Sequence, residues 1–67
     1  MNQLETYHKL RDVQRKIKYL RDINTMNSVG DPVSHGVALA YDNAFNMIDG
    51  VANQLYREGI EQENSDA

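Results

Sequence analysis

From Val37 onward, apolar residues fall at Val37, Tyr41, Ala44, Ile48, Val51 and Leu55. Their spacings of 4, 3, 4, 3 and 4 are those of a helix packed against another helix. A second row, Ala38, Phe45, Ala52 and Tyr56, widens this seam on one side. Val33, Ala40 and Met47 widen it on the other. The combined arc covers nearly half the circumference, more than one partner helix conceals. The chain has a single further helix to offer. The pattern therefore predicts an all-α fold, an antiparallel helical hairpin of two long helices, that self-associates into a bundle or ring.

That further helix is predicted from Leu4 to about Met26. Leu10, Val13, Ile17 and Leu20 repeat with spacings of 3, 4 and 3, and no Gly or Pro interrupts them. The segment from Asn24 to Pro32 then supplies a stop, a turn and a start. Gly30 suits a left-handed turn position, Asp31 an N-cap, and Pro32 the first helical position. Helix 2 is expected over about 32–58, giving one helical-hairpin domain over 1–60. The tail 61–67 is polar and acidic and is expected to be disordered.

Sixty-seven residues lie near the lower limit for a stable single core. The chain has no cysteine, so neither disulfides nor thiolate metal sites can staple it. With two histidines, His8 and His35, expected at opposite ends of the hairpin, a metal site is not expected and no cofactor is implied. Oligomerisation is the remaining route to stability. No apolar run approaches the ~20 residues that span a bilayer. The first residues also lack the basic and apolar regions of a signal peptide, so a cytoplasmic location is expected.

The net charge of −3 conceals a segregation. Residues 1–27 hold six basic side chains (Lys9, Arg11, Arg15, Lys16, Lys18, Arg21) against three acidic ones, a balance of +3. Residues 28–67 hold Arg57 against seven acidic groups, a balance of −6. Such polarity steers an anionic ligand to one region or orients two copies against each other. Arg11, Arg15 and Lys18 fall on the outer side of helix 1, with Tyr7 between them and the apolar stripe. On helix 2 the outward polar face is expected to be Asp42, Asn46, Asp49, Asn53 and Arg57.

Catalysis finds little support. Ser34 and His35 are adjacent, which on a helix points them about 100° apart, and no carboxylate is placed to orient the imidazole. The chain is read as a non-enzyme. The acidic second half argues against binding duplex nucleic acid, and the helices lack a helix-turn-helix arrangement. A small phosphorylated ligand fits better: Arg11, Arg15 and Lys18 would clamp phosphate while Tyr7 stacks on a base. Gly36 and Gly50 fall on nearly one face of helix 2 and mark either close backbone approach or local kinks.

The run Tyr7-His8-Lys9-Leu10, then Ile17-Lys18, Asp31-Pro32, Ala44-Phe45 and Val51-Ala52 resembles the phage-encoded helical-hairpin sponges. These proteins counter CBASS and Thoeris immunity by sequestering cyclic-nucleotide-type signals, and their hairpins assemble into rings. The resemblance implies ligand-contacting roles for Tyr7 and Lys18. The chain departs from that pattern in a shorter tyrosine-to-lysine separation and in having no tryptophan soon after the Asp-Pro step.

The expected function is thus a small non-enzymatic, homo-oligomeric binding protein. It would be a phage-type antagonist sequestering a cyclic nucleotide signal of host defence in the host cytoplasm. The ligand-binding residues would be Tyr7, Arg11, Arg15 and Lys18. Contacts between copies would use Phe45, Ala52 and Tyr56 on one flank of helix 2, or Val33, Ala40 and Met47 on the other. The alternative is a protein-interaction module, such as an inhibitor, an antitoxin-like protein or an assembly factor, docking a partner through the apolar face of helix 2.

Overall fold

The computed structural model describes residues 2–66, and Met1 and Ala67 lie outside the described residues. Helix α1 spans Gln3–Met26 and helix α2 spans Pro32–Asp66. They run antiparallel, and among the described residues there is no strand. The molecule is a rod of 56 × 14 × 14 Å.

The ends of the elements follow from local chemistry. Asn2 caps α1, its side chain accepting from the Glu5 amide at 2.8 Å. The chain reverses over residues 27–31, where Gly30 takes φ 78°. A Cβ is strained at that angle, so glycine fits. Asp31 caps α2: its carboxylate accepts from the Val33 amide at 3.1 Å and from the Ser34 hydroxyl at 2.8 Å. Pro32, with no amide hydrogen to leave unsatisfied, occupies the first helical position.

Helix α2 does not stop near residue 58 but continues to Asp66. Glu61, Gln62 and Glu63 are good helix formers, and the Ser65 hydroxyl donates to the Glu61 carbonyl at 3.0 Å. The polar tail expected over 61–67 is therefore helical as far as it is described.

The structure also rotates α2 relative to the sequence expectation. The row facing α1 is Ala38, Phe45, Ala52 and Gly59, not the seam from Val37 to Leu55. Ala38, Ala52 and Gly59 are buried and Phe45 is half-buried. Opposite them on α1 stand Tyr7, Gln14 and Arg21, with Gln14 only 3% exposed. Small residues on α2 leave room for the long polar side chains of α1. Apolar spacing locates the greasy side of a helix, but α1 covers it only in part: Tyr41, Ala44, Ile48 and Leu55 are half-buried, and Val37 and Val51 are exposed.

The hairpin has one register. Leu4 meets Gly59, Tyr7 meets Tyr56, Gln14 meets Asp49 and Arg21 meets Asp42. The closest approach is at Gly59, where a Cβ would lie 2.7 Å from Leu4 Cγ and 2.8 Å from its Cδ2. Gly36 and Gly50, the positions singled out by sequence, face open space. Among the described residues the buried apolar ones are Ala38 and Ala52, and no large side chain is fully buried.

These placements separate three glycines by experiment. Gly36→Ala and Gly50→Ala should each stabilise the protein by up to ~1 kcal/mol through helix propensity. Gly59→Ala should destabilise it by roughly 1 kcal/mol through crowding against Leu4. Thermal unfolding followed by circular dichroism checks both. A Gly59→Ala melting temperature rising as far as that of Gly36→Ala would refute the close approach.

Candidate functional site

Arg11 is the hub of the interhelical polar contacts. Its guanidinium donates to Asp49 Oδ1 at 2.7 Å and to Asn53 Oδ1 at 2.8 Å on α2, and to Gln14 on its own helix. It also lies 5.1 Å from the centre of the Tyr7 ring. Gln14 joins the cluster by donating to Asp49 Oδ1 at 3.1 Å and to the Phe45 carbonyl at 3.3 Å. Hydrogen bonding from Arg11, and next from Gln14, lowers the pKa of the Asp49 carboxyl below its ordinary value.

A second cluster lies toward the turn. Arg21 donates to Asp42 at 2.9 Å and to Asp22 at 3.2 Å, and its guanidinium sits 5.1 Å from the Phe45 ring. At the open end, Gln3 donates to Glu58 at 3.1 Å. The hairpin thus draws basic α1 against acidic α2 at three levels, two of them ion pairs.

The four expected ligand residues are not equivalent. Tyr7 is half-buried, with Tyr56 5.2 Å and His8 5.1 Å away between ring centres. Arg11 is turned toward α2 and charge-paired, which removes it from a free cationic cluster. Arg15 is exposed and pairs with Asp12 one turn earlier. Lys18 is exposed and, among the described residues, has no carboxylate within ion-pair distance. The four therefore do not form one open anion clamp within a single hairpin.

The expected contact residues divide as well. Ala52 is fully buried and Phe45 is occupied by Gln14 and Arg21, so both belong to the hairpin's own interior. Tyr56 packs on Tyr7 yet remains 47% exposed. Val33, Ala40 and Met47 stay exposed. Sequence reasoning also sent Asp42, Asp49 and Asn53 to solvent, whereas all three bond across to α1. The opposite charge balance of the two halves was the signal that could have placed them.

The remaining surface is the most distinctive. Leu10, Val13, Ile17 and Leu20 lie on the flank of α1 opposite Arg11 and Lys18. Val37, Tyr41, Ala44, Ile48, Val51 and Leu55 lie on the flank of α2 opposite Asp42, Asp49 and Tyr56. In an antiparallel pair like flanks adjoin, so the two apolar stripes merge into one face. Val13, Leu20, Val37 and Val51 on it are 45%, 40%, 36% and 53% exposed. Among the described residues no helix is long and apolar enough to cross a membrane, and no group of three metal-ligating side chains is assembled.

The polar cluster carries two expected outcomes. Gln14→Ala should destabilise the hairpin by about 1–2 kcal/mol, measured by denaturant unfolding, because its buried hydrogen bonds are lost. Asp49 and Asp31 both have lowered carboxyl pKa values, so each stabilises fully above the ordinary value near 3.8 and loses that contribution as pH falls below it. Thermal melts should therefore show a stability decline on acidification below pH ~4. Asp49→Asn should flatten part of that slope, and an unchanged slope would remove Asp49 from the account.

No protein-family model, curated protein or solved structure matches this chain.

Proposed function

We propose that this chain is a non-enzymatic binding protein that acts as a homo-oligomer of helical hairpins. The observation that carries this reading is the merged apolar face. A hairpin in which, among the described residues, the buried apolar side chains are two alanines retains little burial to offset chain entropy, while its larger aliphatic side chains remain half-exposed. Association of copies through that face supplies the missing core. Light scattering on the pure protein at micromolar concentration should give a mass that is a multiple of 7.7 kDa. A monomer with a sharp unfolding transition would overturn the reading.

A second reading concerns the ligand. The Tyr7–Tyr56 pair, with Arg11 over Tyr7 and with Arg15 and Lys18 exposed farther along α1, supports capture of a phosphorylated, base-containing molecule such as a cyclic nucleotide. Because one hairpin does not gather these groups, the pocket would form between copies. Saturating cyclic nucleotide should raise the melting temperature, by an amount corresponding to about 2.7 kcal/mol at a hundredfold excess over Kd. The double variant Arg15→Glu, Lys18→Glu should abolish that rise and keep the fold, since neither residue bonds across the hairpin. An unaltered rise in the variant would dismiss these cations.

A further inference from the structure

We infer that two copies pack face to face so that α1 of each hairpin lies beside α2 of its partner, closing an antiparallel four-helix bundle. The inference rests on the homo-oligomer reading and specifies the surface, the partner and the pairing.

The surface area points to a second copy. The chain exposes 4932 Å². A folded monomer of 7.7 kDa is expected to expose about 4,300 Å². A standard interface removes about 800 Å² from each partner, which would return the chain to the ordinary range. The merged face is also continuous, running over both helices from Leu10 and Leu55 near the open end to Leu20 and Val37 near the turn. A single foreign helix would cover one groove of it; another hairpin matches its two-helix width.

Charge decides between the ways of pairing two such faces. Placing α1 beside α1 sets two basic segments together and leaves two acidic α2 helices adjacent. Placing α1 beside the partner's α2 sets the +3 segment against the −6 segment twice. The border of the face agrees. Lys9 and Lys16 edge it on α1, are exposed, and among the described residues have no carboxylate within ion-pair distance. On α2 the stripe Val37, Ala44 and Val51 gives way at its next position to Glu58. With the hairpins aligned, Lys9 comes within about one helical turn of the level of that carboxylate on the partner.

The absence of cysteine from the sequence makes the pairing measurable. Val13→Cys and Val51→Cys are prepared as separate single variants, mixed, dissociated, reassociated and oxidised. The mixed 13–51 disulfide should exceed either homodimeric disulfide several-fold. Predominant 13–13 or 51–51 bridges, or no bridge in a mixture that light scattering shows to be oligomeric, would overturn the pairing and leave the homo-oligomer standing. A wild-type protein that stays monomeric would overturn both. Isotopically mixed wild-type protein treated with a carbodiimide provides a test free of substitutions. Lys9 of one copy should couple to Glu58 of another, and couplings confined to single chains would refute the arrangement.

Discussion

The constraint on which this structure depends is that its inner seam is built from small and polar side chains. Ala38, Ala52 and Gly59 bring α2 close, and Gln14, Arg11 and Arg21 fill the space with hydrogen-bonding groups. Such a seam specifies alignment more than it supplies stability. Partly exposed ion pairs contribute little net free energy, whereas a mismatched register would strand Gln14 without its partners. The apolar side chains that normally stabilise a hairpin are displaced to one flank. α1 and α2 choose each other by polarity, and the flank keeps apolar surface that the hairpin itself covers only in part.

The same division governs where chemistry is possible. The polar flank holds Arg11, Asp49, Asn53, Tyr7 and Tyr56 in mutual contact, so its charge is largely satisfied internally. Among the described residues the cations with no carboxylate within ion-pair distance are Lys18, farther along the same flank, Lys9 and Lys16 on the outer border of the apolar face, and Arg57 on α2. Among the described residues no open cradle for an anion is therefore gathered within one chain.

How far the sequence could be read depended on the range of the interaction. The turn was legible because Gly30, Asp31 and Pro32 act locally, and each occupies the conformation its chemistry prefers. The two helices and their antiparallel course were legible from spacing and the short connection. The facing of α2 was not, because apolar periodicity marks an amphipathic side without naming what covers it. The row Ala38, Phe45 and Ala52 reads in sequence as a border of the wider seam, and its continuation at Gly59 lies beyond the helix end expected near residue 58. The pairing of Arg11 with Asp49 and of Arg21 with Asp42 needed the register, which spacing alone does not set.

The connection between the helices has a topological effect. Helical hairpins with short loops are prone to open into one continuous helix and exchange halves between copies. Here the left-handed Gly30 and the ring of Pro32, which lacks an amide donor and would clash with the carbonyl of Ser28 in a continuous helix, stand between α1 and α2. The straightened form is penalised at the residues that make the turn. In the proposed association each copy would complete its own hairpin first, and partners would meet as finished units instead of as entangled halves.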